Sequence, residues 1–560
     1  MQKLQICVFK SPGTFRLCLL RNLRHIGDLI ADQGQDVVVL SPPLPSTKAY
    51  ETLAIWERRF GGRWRSVWWR LAIWQMRSRG FVEATPSSEG AERVLDVLHR
   101  VKQLLEGRLL SEHRLIKALR QEGYWPSDIS RALDLGVYQS KLRQVPGFVR
   151  GSWGRVLCTR CQSEEVKAFP CLVCGGQDCL LCLTCRTMGE HRSCSTLFSL
   201  TNSKGRSGAR SVKLQLTYAL TVPQEQASQA LLDFWRTGEG KALVWAACGA
   251  GKTEVTFALI QQVLSEGGEV LFAIPRQDIV REMADRLGGA FPDVTVASHY
   301  SGKPWLAAGP LVVATTHQVL HFYRRFQLAV LDEVDAFPYQ GNEMLRLGLM
   351  RALLTTGKLI EMTATPHAQS DYGRVITIPA RYHGYALPEP DLVTRALPPW
   401  TSLQASNFPP FLLSLLENED HPWLIFGPTI AACTSLQKVL SEATGKSVGL
   451  CHSKVEHRAH VIQNLRDGKL EIVVTTSVLE RGVNFPGVGV MVLYADHGVF
   501  TVSTLVQIAG RVGRTAISPR GTVIFVAPRI AAPMKKALHL IGQLNNQAKA
   551  RGLLYSETVT

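Results

Sequence analysis

The chain has no apolar run approaching the roughly 18 residues that a membrane-crossing helix needs. Its first residues, MQKLQICVFKSPGTFR, lack the hydrophobic core of a secretion signal. The expectation is a cytoplasmic protein, at most peripheral at the inner face of the cell membrane. Acidic side chains are in short supply: 46 Asp and Glu stand against 63 Lys and Arg, giving a net charge of +17. That deficit favours a polyanionic partner, because phosphate contacts supply most non-specific affinity for nucleic acid. No internal repeat or low-complexity tract stands out, and 560 residues leave room for three or four domains with sizeable cores.

What is present begins with a phosphate loop. Val244 and Trp245 close an apolar stretch, then Ala246, Ala247, Cys248, Gly249, Ala250, Gly251, Lys252 and Thr253 spell AACGAGKT. The glycines let backbone N–H groups close around phosphates, aided by the positive end of the following helix. Lys252 would reach the β- and γ-phosphates, and the Thr253 hydroxyl would sit on Mg²⁺. Downstream, the apolar strand Leu328 to Leu331 delivers Asp332 and Glu333 to the carboxyl end of a parallel sheet, where ligands bind. Asp332 is placed to hold Mg²⁺ through water and Glu333 to take a proton from the attacking water. Gln507, Arg511 and Arg514 recur at spacings of four and three, which predicts one helix face addressing one phosphate chain.

Further hydroxyl-bearing turns follow other apolar strands: Arg276 after VLFAIP, Thr315, Thr316 and His317 in LVVATTHQ, and Thr475 and Thr476 in VVTTSVLERGVNFP. Such groups grip phosphate and sugar without reading bases. They are the candidate nucleic-acid contacts, though an ordinary strand-to-helix turn needs the same residue types as caps.

Eight of the thirteen cysteines lie between residues 158 and 194. They are Cys158, Cys161, Cys171, Cys174, Cys179, Cys182, Cys185 and Cys194, mostly as C-x-x-C knuckles. In a cytosolic chain this spacing fits tetrahedral Zn²⁺ thiolate sites rather than disulfides. The eight could close two sites, or one with the rest packed. Cys7, Cys18, Cys433 and Cys451 are scattered and read as core or surface residues.

The ordered set AACGAGKT, DEVD, TAT and QIAGRVGR resembles a superfamily-2 helicase core over about residues 215–530, and about 155–530 resembles the ComFA-type ATPases of natural transformation. The carrying segments are WAACGAGKTE (245–254), AIPR (273–276), ATTHQVL (314–320), DEVDAFPY (332–339), TATP (363–366), PARYHGYALPEP (379–390), LERGVNFP (479–486) and LVQIAGRVGR (505–514). The resemblance implies ATP in a cleft between two lobes and single-stranded DNA across both. It implies that Thr363 and Thr365, with Asp335, couple hydrolysis to lobe movement. It gives Gln224 or Gln226 as the glutamine that recognises adenine, and a cysteine metal module just before the motor. The implied function is an ATP-dependent single-stranded DNA translocase that draws transforming DNA into the cytosol, with a membrane DNA channel and other competence proteins as partners. A primosomal restart helicase and a nucleotide-switched zinc scaffold for a membrane channel are the alternatives.

The expected fold is α/β: two RecA-like parallel-sheet lobes preceded by a small cysteine zinc module and a mainly helical basic N-terminal region. The expected divisions are 1–150 for the basic region, 151–200 for the cysteine module, 215–395 and 396–530 for the lobes, and 531–560 for a helical tail. Within the first, Trp56, Phe60, Trp64, Trp68 and Leu71 recur at helical spacing among arginines, and residues 129–145 have a helix, glycine, helix cadence. The first reads as a packed aromatic stripe with a solvated basic face, or as a base-stacking or membrane-lying helix; the second reads as a helical hairpin or a DNA-binding helix-turn-helix. A proline-bearing segment, Pro379 to Pro399, is expected to join the lobes and absorb their hinge motion.

Overall fold

A computed structural model describes residues 88–555, except 152–153, 202–207, 303–307, 367–371, 418–420 and 481–484, together with parts of residues 3–56. Two parallel sheets dominate. Their strands form where the sequence is apolar on both faces, as in Val270–Ile274, Leu311–Thr315 and Phe326–Leu331, which are buried almost throughout. That is the pattern of a sheet covered by helices on both sides. Seven strands make the first sheet, in the order 296–299, 311–315, 270–274, 326–331, 353–363, 241–246 and 374–378. Six make the second, in the order 391–394, 523–527, 489–493, 423–426, 472–475 and 448–451. These are the two RecA-like lobes. Fully buried Phe272 and Phe426 anchor them, each contributing about 1.5–3 kcal/mol by leaving water. Helix starts are set locally: the Thr429 side chain accepts from Ala432 N at the head of Ile430–Thr444, and Gly445 at φ 65° closes its end.

The N-terminal region carries the helices Ser88–Leu105, Glu112–Gln121 and Pro126–Tyr138. It also carries an antiparallel sheet that no motif announces, in which Lys3–Ser11 pairs with Thr14–Leu20 and Val37–Val39. The helix, glycine, helix cadence of 129–145 is not what forms. Gly136 lies inside the helix Pro126–Tyr138, where a Cβ would meet Leu142 at 2.5 Å and Leu98 at 2.9 Å. The glycine is therefore a packing requirement, and the next segment is a strand, Leu142–Pro146, paired with Thr196–Leu200. Most of the tryptophan and arginine segment, from residue 57 onward, lies outside the described residues. Among the described residues no helix is long and apolar enough to cross a membrane.

The strand Thr196–Leu200 also pairs with Leu110–Ser111, so the end of the cysteine-rich segment completes a sheet begun before residue 150. This combined unit docks on the first lobe. Leu109 N donates to His321 O at 3.3 Å, Tyr323 N to Gly107 O at 2.9 Å, and Arg351 to Thr159 O at 2.9 Å. Arg114 lies 2.7 Å from His321 Nε2. Burial, reinforced by Arg114, holds His321 well below the usual imidazole range, so it meets that guanidinium as a neutral ring.

The segment between the lobes is fastened along its length. Leu387 N donates to Asn545 Oδ1 at 2.8 Å, Leu387 O accepts from Asn545 Nδ2 at 2.9 Å, and Gly384 O accepts from Tyr555 N at 2.9 Å. The terminal helix Ala532–Ala550 is thus a brace across the linker rather than a loose tail. Within the segment expected to absorb hinge motion, residues 384 and 387 are thereby tied to that helix and to Tyr555.

Candidate active site and cysteine centres

The strand Lys241–Ala246 ends at the phosphate loop, whose turn requires Gly249 at φ 83° and Gly251 at φ 69°, both in the left-handed region that glycine adopts freely. The next strand over, Leu353–Thr363, separates it from Phe326–Leu331, which ends at Asp332. Lys252 Nζ lies 2.8 Å from Asp332 Oδ1. Burial disfavours the Lys252 ammonium, but Asp332 and Glu333 outweigh it and hold its pKa above the ordinary value. Burial conversely raises Asp332 against the pull of Lys252. Glu333 sits at φ 55°, a conformation costing a non-glycine residue about 1–2 kcal/mol, and its side chain lines the same cleft.

That cleft has a volume of about 740 Å³ and is walled by both lobes. Lobe one supplies Ala246 to Thr253, Asp332 and Glu333; lobe two supplies Gln507, Arg511 and Arg514. The three lobe-two residues do not share a helix face as their spacing suggested. The helix Val502–Ala509 stops before Arg511 because Gly510 caps it and Gly513, at φ 65°, reverses the chain. Arg511 and Arg514 therefore project from a turn, and all three still reach one cleft. Arg511 donates to Glu480 O through Nε at 2.9 Å and Nη2 at 2.6 Å, while Arg514 Nε donates to Gly510 O at 3.0 Å.

Of the two glutamines, Gln224 lines the cleft and Gln226 is exposed. Gln224 Nε2 donates to Ala250 O at 2.9 Å, and its Oε1 accepts from Thr221 N at 2.8 Å. A T-x-x-Q capping box, legible in the sequence, fixes it there. Two further lining residues, Tyr218 and Arg286, had no motif to mark them, and both meet Glu254. Glu254 accepts from Tyr218 at 2.9 Å and pairs with Arg286. Asp335 accepts from Thr363 at 2.7 Å and Thr365 at 3.0 Å, as the resemblance implied, and also from Ser503 of the other lobe.

The candidate nucleic-acid residues sit at carboxyl ends of parallel strands. Thr315 is level with Ile274, just before Arg276, and Thr475 is level with Phe426 and Cys451. Arg276, His317 and Thr476 are half-buried. Thr315, Thr316 and Thr475 are buried, and the Thr475 hydroxyl donates to Thr476 O at 3.0 Å. In this arrangement those three are buried at the ends of their strands, and none caps a helix through its side chain.

The eight cysteines separate into two sets of four: Cys158, Cys161, Cys182 and Cys185, and Cys171, Cys174, Cys179 and Cys194. All are buried, and within each set the sulfurs lie within 4.8 Å of one another. Cys158–Cys185, Cys161–Cys182 and Cys171–Cys194 are at 3.8, 3.5 and 3.9 Å. Thiolates bound at about 2.3 Å in a zinc tetrahedron stand about 3.8 Å apart, so both sets fit the metal. Arg160 donates to Cys185 Sγ at 3.1 and 3.0 Å, and Arg192 to Cys171 Sγ at 3.6 Å, the outer-shell support that anionic sulfur calls for. The sets differ in setting. The first belongs to the same packed cluster as Leu271, Phe322, Tyr339 and Leu349 of lobe one, whereas the second packs chiefly with Phe169.

Residues 97–199 match the Competence protein ComFA N-terminal domain, residues 217–368 the Type III restriction enzyme res subunit, and residues 409–516 the Helicase conserved C-terminal domain. The chain is 35% identical over 415 residues to the competence protein ComFA of Streptococcus pneumoniae, covering 71% of this chain and 93% of that one. It is 33% identical over 382 residues to the competence protein ComFA of Bacillus subtilis, covering 66% and 81%. The structure of the Mycobacterium smegmatis helicase Lhr bound to ssDNA and AMP-PNP is similar with a TM-score of 0.41 at 18% identity, over 59% of this chain and 48% of that one.

Proposed function

The chain belongs to the ComFA family and is a helicase-type, nucleic-acid-dependent ATPase; from that premise we propose that it is a single-stranded DNA translocase drawing transforming DNA into the cytosol. The observation that carries this is one cleft holding Lys252, Asp332 and Glu333 from one lobe opposite Gln507, Arg511 and Arg514 from the other. A site divided this way completes itself only when the lobes close, so each hydrolysis is tied to a movement. Lys252 neutralises the outer phosphates, Glu333 accepts the proton of the attacking water, and the two arginines stabilise charge on the transferred group. Asp332 and the Thr253 hydroxyl would hold Mg²⁺, which when bound adds positive charge at the phosphates. Gln224 recognises adenine. Asp335, shared among Thr363, Thr365 and Ser503, relays the state of the cleft across the lobes.

DNA lies across the carboxyl ends of both sheets, held by Arg276, His317 and Thr476, with the buried Thr315, Thr316 and Thr475 shaping the turns that present backbone N–H groups to phosphate. No base-reading element is involved. Single-stranded DNA of any sequence is therefore expected to stimulate ATP turnover more than blunt duplex or RNA, with an apparent affinity that falls steeply with salt as counterions are released. Turnover measured on the three polymers side by side tests this. Greater stimulation by RNA would make the protein an RNA motor, and indifference to all three would favour a nucleotide-switched scaffold. The protein works at the inner face of the membrane, beside the channel that delivers the strand.

Both cysteine sets hold Zn²⁺, which supplies a structural cross-link. Elemental analysis of protein purified without chelator is expected to give two zinc ions per chain. Cys171→Ser with Cys174→Ser should lose one ion and leave the melting of the lobes close to normal. Cys158→Ser with Cys161→Ser should also lose one, but lower the melting temperature of the lobes by several degrees, because those sulfurs are packed in the cluster of lobe one. Equal effects of the two pairs would show that the sets are structurally equivalent.

A further inference from the structure

Arg381 follows the last strand of lobe one, Arg374–Ile378, where the linker begins. It is 2% exposed. Burial lowers its pKa to about 10, which still leaves it cationic near neutrality. A buried guanidinium is costly unless its donors are used, and its described hydrogen bonds show how they are. Nε donates to Cys248 O at 3.2 Å, Nη1 to Gly513 O at 2.5 Å and Nη2 to Gly510 O at 3.5 Å. Cys248 is in the phosphate loop of one lobe; Gly510 and Gly513 bracket the turn that carries Arg511 in the other. One rigid fork therefore bonds the phosphate loop of one lobe to the arginine turn of the other.

The surroundings fix this fork. His383 Nδ1 accepts from Tyr385 N at 3.2 Å, which leaves Nε2 as the donor to Gly513 O at 3.0 Å. A Cβ at Gly513 would come within 2.9 Å of Arg381 Nη1, and one at Gly510 within 2.4 Å of Cys248 Cβ. Both glycines thus let the turn sit directly against the loop and the guanidinium. Gly384 and Leu387, a few residues on, are bonded to Tyr555 and Asn545, so the fork is mounted on a braced segment.

We propose that Arg381 is a positioning residue for ATP hydrolysis: it registers the arginine turn of lobe two against the phosphate loop of lobe one, and His383 shares that task. This rests on the reading that Arg514 serves hydrolysis. Arg381 does not line the cleft itself and acts through the turn it holds. A lysine there keeps the charge but cannot satisfy three divergent carbonyls at once.

The test is a double-mutant cycle on the full chain with single-stranded DNA present, using Arg381→Met, Arg514→Ala and the pair, with Arg381→Lys carrying the same cycle if the methionine variant does not fold. Arg381→Met is expected to lower kcat by about tenfold to a hundredfold, the scale of a slightly misplaced catalytic group, while KM for ATP moves less than about threefold. The effect of Arg381→Met should be much smaller in the Arg514→Ala background than on its own, because only what reaches Arg511 through the same turn is left to position. Multiplying effects, or a raised KM with kcat intact, would overturn the proposal. Unchanged turnover in Arg514→Ala alone would instead remove the reading on which it rests.

Discussion

Lys252→Ala and Glu333→Gln are each expected to reduce ATP turnover to background in a chain that remains folded. Lys252 is the group that Asp332 meets at 2.8 Å, so its removal takes away both the phosphate-facing cation and the counter-charge of a buried carboxylate. Asp332, already raised by burial, then loses the ammonium that holds it down, and its ionised form becomes harder to keep at neutral pH. Metal and phosphate binding should both weaken. Glu333→Gln is the cleaner of the two. It keeps the shape of the side chain and leaves the Lys252–Asp332 pair intact, so ATP should still bind and only proton acceptance is lost. A fluorescent ATP analogue separates these outcomes from failure to fold. Near-normal turnover by either purified variant would remove its residue from the catalytic set.

Arg514→Ala is expected to lower turnover by at least roughly tenfold while ATP binding stays largely intact, a modest share of the 10³ or more that an arginine at the γ-phosphate can supply. Burial lowers the pKa of Arg514 while Cys248 and Glu333 work the other way, which is the setting of a cation held near the other lobe's catalytic carboxylate. In the proposed cycle Arg514 meets the phosphate on lobe closure, so the loss should fall on kcat. Arg514→Lys should not restore the rate, since an ammonium lacks the planar fork. In competent cells the alanine change is expected to stop DNA from reaching the cytosol while surface-bound DNA persists. Normal uptake by that variant would show that this ATPase is not the import motor.

The parts of this site confined to one turn were legible in the sequence, because phosphate binding demands glycine, lysine and hydroxyl at fixed local spacing. AACGAGKT and DEVD fall in this class, and so does Gln224, whose capping box could have separated it from Gln226. Regular spacing misled where chain reversal intervened. Gln507, Arg511 and Arg514 fit a helix face by arithmetic, but Gly510 and Gly513 end the helix between them. Gly136 misled in the opposite sense, marking close packing inside a helix rather than a turn between two. What crosses between lobes left no local trace. Ser503 is 168 residues from Asp335, and Arg381 is 132 from Gly513. The cysteines suggested a metal, but their spacing could not assign partners. The second set opens and partly closes inside the loop of the first, and only its last member, Cys194, returns from beyond.

The setting of the first cysteine set bears on how this protein can be divided. Residues 201–210 look like a natural place to cut, and a two-lobe fragment beginning there would retain every catalytic residue. It would also lose the four sulfurs, Phe148 and Met188 from the cluster that contains Phe322, Tyr339, Met344 and Leu349, and the strand Thr196–Leu200 with the sheet it completes. The cut surface would present apolar and aromatic side chains to water, the kind of patch that drives self-association. In practical terms the ATPase lobe and the first cysteine set share one packed cluster and are best handled together. A fragment that precipitates would report this shared cluster, and a usable minimal motor has to start before Leu110 and keep both cysteine sets.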